Sequence, residues 1–228
     1  MEKAPLLLSI ETATEICSVC LSRGSIILAE QEAVDSYQHI EAITILIRET
    51  MDEAAIPLSA IDAIVISEGP GSYTALRVGA ATAKGICYAL DKPLIAVSTL
   101  KSLAWRMQTN SKDGFFIPMI DARRMEVFAA LYNSKLEEIE KPFALIVTEE
   151  TMEAYSSVTK PVFYGGSGAA KCKETLGEGF VFKEVQCNAN NLVSLGIEKY
   201  KKKEFVDLAY FSPFYLKPPN ITVSKKKL

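Results

Sequence analysis

The 228-residue chain has one histidine, His39, and one tryptophan. A lone imidazole excludes a multi-histidine metal site, and no Ser-His-Asp or Cys-His pairing can be assigned. His39 is read as part of a helix start or an interface. The five cysteines (17, 20, 87, 172 and 187) are odd in number and lack the spacing of a disulfide framework, which implies reduced thiols. Cys17-x-x-Cys20 has the spacing of half a zinc site, but on a strand residues three apart point to opposite faces, which favours buried thiols and no metal. A basic excess is missing too. The net charge is −3 and the pI about 5.4, whereas a protein that grips nucleic acid unaided carries a basic field, so any nucleic-acid contact would be delegated to a partner. The lysine runs 201–203 and 225–227 are read as solvated ends. Leu6-Leu7-Leu8 is too short for a secretory segment or a membrane span, so we expect a cytoplasmic protein with no membrane contact.

Hydrophobic residues make up 49% of the chain and charged residues 23%, with a mean hydropathy of +0.14, which is the apolar end of the soluble globular range. At roughly 100 to 200 residues per domain, the length fits one large unit or two small ones. Apolar runs at 6–10, 18–21 and 26–29, the last two separated by Ser22-Arg23-Gly24, predict an opening three-stranded meander. Ile40, Ile43, Ile47, Met51 and Ala54 then fall on one helical stripe that stops at Ile56-Pro57. A buried strand at 63–67, a helix over 74–90, a strand at 94–97 and a helix to about Met107, capped by Ser98 or Thr99, complete a first lobe. The polar stretch 108–114 is the linker candidate, giving lobes of 1–107 and 108–228. In the second, strands are expected at 115–120, 126–132 and 162–164, the last before the Gly165–Gly168 turn, with helices to about Leu176 and over 191–203. No internal repeat is visible. The class is α/β, with mixed sheets flanked by helices.

The densest segment runs from Glu68 to Gly79 (EGPGSYTALRVG), where a strand, a glycine turn and a helix start follow one another. Gly69 and Gly71 permit unusual backbone angles, and Ser72 or Thr74 can accept from the free amides of the helix start. Such a nest can hold an anion, but it lacks the Walker spacing, and no lysine follows until Lys84. A capped turn is the simpler reading. Glu11 and Thr12 end the first strand where an actin-like ATPase would place its phosphate and metal residues, yet Ala13 lacks the freedom of glycine. On the first helix Ala42, Ile45 and Leu46 fall outside the apolar stripe. The second is apolar nearly all round, leaving Arg77, Lys84 and Tyr88 as its polar side. Small residues along it permit close backbone approach. Pattern alone leaves two readings of these faces, ordinary core or a surface covered by another polypeptide.

Taken in order, Leu8-Ser-Ile-Glu-Thr-Ala-Thr14, Cys17-Ser-Val-Cys-Leu21, Gly69-Pro-Gly-Ser-Tyr-Thr-Ala-Leu-Arg-Val-Gly79, Ala83-Lys-Gly85, Asp121-Ala-Arg-Arg-Met-Glu-Val-Phe128 and Pro213-Phe-Tyr-Leu-Lys217 resemble the successive signatures of the TsaB (YeaZ) family. The resemblance is dense over 6–107, present over 115–132 and sparse beyond. It implies a two-lobed actin-like, sugar-kinase-type (ASKHA) fold and a non-catalytic role beside TsaD, which transfers a threonylcarbamoyl group to the adenosine next to the tRNA anticodon, with TsaE as the ATPase of the set. It further implies pairing through the first two helices, with TsaD in the working complex and with a second copy when alone. The implied partner surface is Ala42, Ile45, Leu46, Glu49, Leu76, Arg77, Ala80, Lys84 and Cys87. Glu11, Thr12, Gly69, Gly71, Ser72, Tyr73 and Thr74 are implied as vestigial phosphate-loop positions. No cofactor is expected on the isolated chain, and a nucleotide at the interface with TsaD stays open. TsaD-like proteins carry a metal-binding H-x-x-x-H motif, and here His39 is followed by Ile43, so the second ligand is missing. Glu11 replaces a common aspartate, Tyr73 a phenylalanine and Ala75 a glycine, which sets independent nucleotide binding in doubt. The rival readings are a small actin-like ATPase or kinase using Glu11, Thr12 and the Gly69–Thr74 loop, and a glycoprotease-like peptidase.

Overall fold

The structure, a computed structural model, describes residues 4–34, 39–109, 113–156, 159–173, 175 and 180–218. The lysine run 225–227, the expected helix end at Leu176 and residues 110–112 of the expected linker lie outside them.

Strands β1 (Leu6–Glu11), β2 (Ile16–Arg23) and β3 (Ile26–Val34) form the antiparallel meander, with Leu8 opposite Leu21 and Ile10 opposite Val19. Helix α1 (His39–Glu53) leads to β4 (Ala63–Gly69), which lies parallel to β1, and helix α2 (Tyr73–Leu90) leads to β5 (Leu94–Ser98), parallel to β4. The first sheet therefore has the order β3-β2-β1-β4-β5. Both of its faces are covered, as parallel strands require. Leu6, Leu8 and Ile10 point into a core shared with α1 and α2, while Leu7 points the other way, into one shared with the C-terminal part of the chain. Cys17 and Cys20 divide in the same manner, in line with their odd spacing, and all five thiols are free and buried. Burial pushes the Cys17 and Cys20 thiols up to about 11 and about 12, so they behave as small apolar groups.

Helix α3 (Thr99–Gln108) starts at Ser98, whose Oγ accepts from the Lys101 amide at 3.3 Å. It packs between the lobes. Beyond it β6 (Phe115–Asp121), β7 (Glu126–Tyr132) and β8 (Glu138–Ile146) form a second meander. Helix α4 (Glu149–Ser156) leads to β9 (Val162–Gly165), parallel to β6, and β10 (Phe180–Lys183) lies parallel to β9. The order β8-β7-β6-β9-β10 reproduces the first sheet strand for strand. The chain is thus a duplicated unit in topology, although no repeat is legible in its residues.

The second lobe does not keep the rest of the chain. A 3-10 turn at Ala189–Leu192 and helix α5 (Val193–Lys202) return to the first sheet, where a Cβ at Gly196 would lie 2.8 Å from a Val65 methyl. Val206 then pairs with Leu94, and the Phe214 amide donates to the Glu68 carbonyl at 2.7 Å. The expected division at 107/108 separates the two sheets, but residues 189–215 belong by packing to the first.

Candidate functional site

Two regions merit description, the loop cluster at the ends of β1 and β4 and the outward surface of α1 and α2. In the first, the Glu11 side chain is 0% exposed. Its Oε1 accepts from Ser67 Oγ at 2.6 Å and from the Ala13 amide at 2.7 Å, while Oε2 is buried without a partner. Burial pushes this carboxyl up, more strongly than those hydrogen bonds pull it down. A group held toward its neutral form, with no oxygen facing solvent, is poorly suited to organise a metal ion.

The loop opposite is closed by the protein itself. The Ser72 amide donates to the Ala13 carbonyl at 2.7 Å, and the Gly69 amide donates to Thr99 Oγ1 at 3.1 Å. A Cβ at Gly71 would lie 2.4 Å from the Ala13 carbonyl oxygen, one at Gly79 2.4 Å from Thr12 Oγ1, and one at Gly69 2.4 Å from the Phe214 carbonyl oxygen. Glycine is required here because the chain approaches itself at backbone distance, and Gly69 also holds a left-handed φ of +113°. Ser72 occupies the N-cap position of α2, but its side chain makes no capping hydrogen bond, contrary to expectation. The phosphate-loop positions do come together, and two of their amides are spent on the protein's own oxygens.

On the helices the structure revises the sequence reading. Leu46, Ala80 and Cys87 belong to the core shared with the first sheet and Leu76 is buried beside them at 1% exposure, so these four side chains are covered by the chain's own fold. Of the other expected positions, Ile45 is 44% exposed, Glu49 and Arg77 are exposed, and Ala42 and Lys84 are half-buried. Ile40, expected on the inward stripe of α1, is 67% exposed, because His39 takes the first inward position ahead of Ile43, Leu46, Ile47 and Met51. Both ring nitrogens of His39 are buried without a hydrogen-bond partner among the described residues.

The outward face of α2 instead carries Ala81, Gly85, Tyr88 and Ala89, all exposed, with Tyr88 at 84%. A Cβ at Gly85 would meet nothing within 4 Å. Between the two helices lies an apolar groove of about 430 Å³, lined by Ile47 and Met51 of α1, Ile56 and Leu58 after it, and Thr82 and Ile86 of α2.

Arg77 and Lys84 have a partner within the chain. Lys84 Nζ donates to the carbonyls of Ala209 and Phe211 at 3.2 Å each, and Arg77 Nε donates to Tyr215 Oη at 3.2 Å, its guanidinium lying 4.1 Å from the Tyr73 ring centre. These two residues clasp the C-terminal segment to α2. The sequence reading missed Ala81 and Gly85, although a glycine inside a helix, four residues after an alanine, was the available signal.

The sequence model of the family described as TsaD, tRNA N6-adenosine threonylcarbamoyltransferase, matches residues 27–222. The Bacillus subtilis "tRNA threonylcarbamoyladenosine biosynthesis protein TsaB" is 28% identical over 223 residues, covering 92% of this chain and 93% of that one. The solved YeaZ of Pseudomonas aeruginosa is 27% identical with a TM-score of 0.81, over 93% of this chain and 100% of that one. The (R)-2-hydroxyglutaryl-CoA dehydratase component A of Acidaminococcus fermentans, 11% identical, shares the fold alone, with a TM-score of 0.54 over 88% and 99% of the two chains. The expected two-lobed ASKHA architecture is the observed one.

Proposed function

Because this chain belongs to the TsaD family and within it stands with the TsaB (YeaZ) proteins, we propose that it serves tRNA threonylcarbamoyladenosine synthesis as a non-catalytic subunit bound to TsaD. The observation that supports this most is Gly85. A glycine inside a helix is unfavourable by about 1 kcal/mol relative to alanine, and none of the described residues crowds the position. Its absent side chain, with Ala81 and Ala89 one turn to either side, permits a second helix to approach at backbone distance. Tyr88 and Ile45 flank that line with apolar surface that the chain leaves uncovered.

In this reading TsaD covers the α1–α2 surface in the working complex, a second copy covers it when the chain is alone, and TsaE joins the assembly. tRNA is bound through the complex. The loops around Glu11 and Gly69 hold no nucleotide by themselves, since the Gly69 and Ser72 amides and the loop glycines already face the protein's own carbonyl and hydroxyl oxygens, and any nucleotide would lie against TsaD. The rival reading, an ATPase, predicts tight stoichiometric binding of ATP with magnesium to the isolated chain, which calorimetry measures directly.

The test is Ile45→Asp. Ile45 is 44% exposed, so the fold tolerates the charge, while burying an unpaired carboxylate in an interface is strongly unfavourable. TsaD is expected to copurify with the tagged wild-type chain and not with the variant. Undiminished copurification with the variant removes this surface from the proposal.

A further inference from the structure

Strand β6 is joined to β7 by a tight loop in which Arg123 and Arg124 adopt left-handed φ values of +72° and +53°. Hairpin positions of this kind favour asparagine and glycine, and arginine gains nothing locally from sitting there. Both arginines are exposed, and among the described residues neither guanidinium makes a hydrogen bond or an ion pair. The turn is held by other groups. Asp121 Oδ1 accepts from the Arg123 amide and from Lys171 Nζ, at 2.5 Å each, and Glu126 Oε1 accepts from Lys217 Nζ at 2.5 Å. Each neighbouring carboxylate is therefore met by a lysine, which leaves the two arginines without a counter-charge.

The same loop is tied to the first lobe. Lys217 is two residues from Tyr215, so a stretch of at most about 7 Å of chain links the Glu126 contact to the Tyr215–Arg77 contact at the start of α2. Arg77 also lacks a carboxylate partner among the described residues and lies flat against Tyr73. The result is a rim running from α2 across the C-terminal segment to the β6–β7 loop, with arginines that meet no carboxylate among the described residues at both ends and tyrosine rings between, on a chain whose overall charge is −3.

We propose that this rim contacts the phosphates of tRNA, with Arg123 and Arg124 as its principal contacts. The inference rests on the proposed function, which brings tRNA to the complex, and adds that this chain touches it. Exposed guanidiniums suit phosphate oxygens, and strain retained at a loop tip is expected where the displayed side chain has work to do. The net negative charge explains why such a contact needs TsaD, since two or three arginines against an acidic background are too few to hold RNA alone.

The test uses the variant R123N/R124G, whose residues prefer the observed backbone and so preserve the fold. Binding of an unmodified tRNA transcript to the complex with TsaD is measured by anisotropy at several salt concentrations. Loss of two phosphate contacts is expected to weaken binding about 15- to 30-fold at 0.15 M salt and to reduce the slope of log affinity against log salt by about 1.4 to 1.8. The charge-retaining variant R123K/R124K should keep most of that slope. Unchanged affinity and slope with R123N/R124G, in a complex that assembles normally, overturn the inference alone. So does a variant that binds tRNA normally but fails to recruit TsaE, which makes the rim a protein contact. Failure of the wild-type chain to join TsaD overturns the proposed function and this inference with it.

Discussion

Replacing Gly85 with alanine should stabilise the isolated protein and weaken its complex. In the free chain the new methyl enters open space, so the only large effect is the helix preference, about 0.5 to 1 kcal/mol in favour of alanine. At about 2 to 4 °C per kcal/mol for a chain of this size, the melting temperature should rise by about 1 to 4 °C. The complex should respond the other way. If a partner helix packs against Gly85 at backbone distance, the methyl overpacks that contact by about 1 to 3 kcal/mol, a loss of about 5- to 150-fold in affinity. Leucine at the same position should abolish binding. Thermal unfolding at two protein concentrations separates the intrinsic gain from any change in self-association, and titration with TsaD gives the affinity. Two results refute the reasoning. A less stable monomer means that the glycine serves the chain's own fold, and a Gly85→Leu variant that binds TsaD as tightly as the wild type means that no helix approaches there.

Three further outcomes follow from the loop cluster and the clasp. Because burial raises the Glu11 pKa in the folded state, ionisation of this group opposes folding above its ordinary value of 4.5, and this penalty grows until pH passes the folded value. Glu11→Gln should therefore gain on the wild type as pH rises above 4.5, the difference flattening below that value, and a pH-independent difference in unfolding free energy rejects the idea. Gly79→Ala should destabilise by about 1 to 3 kcal/mol because its Cβ collides with Thr12 Oγ1, and Thr12→Ala should recover part of that loss in a double-mutant cycle, whereas strict additivity counts against the contact. Lys84→Met keeps the apolar stem but removes both hydrogen bonds to the C-terminal segment, so amide exchange over residues 206–215 should accelerate with little change in global melting, and unaltered exchange argues against the clasp.

The first sheet was legible because its strands are apolar runs and its helices carry a clear period. The second sheet was half legible for a physical reason. Strand β8 is an outer strand with Pro142 within it and mostly exposed side chains, and β10 is four residues long with Val181 and Phe182 exposed, so neither has the burial that writes a pattern into sequence. At the site, periodicity left Leu46, Leu76, Ala80 and Cys87 open between core and partner surface, and the resemblance put them on the surface, because a stripe records only how apolar a position is, not what covers it. A helix against a broad sheet buries an arc wide enough to take in both neighbouring stripes. The clasp by Arg77 and Lys84 was illegible, since it joins residues more than 120 positions apart.

Glycine is what separates the two regions of this protein. At Gly69, Gly71 and Gly79 a side chain is excluded by the chain's own oxygens at 2.4 Å, so these residues let these segments pack against one another. At Gly85 none of the described residues excludes one. A position whose neighbours forbid a Cβ needs no further cause, whereas one that gives up helix stability in open space implies a neighbour supplied from outside. The same comparison gives the loop glycines a cause that needs no ligand. They are required for packing around a Glu11 carboxyl that is sealed in and Gly69 and Ser72 amides that are occupied.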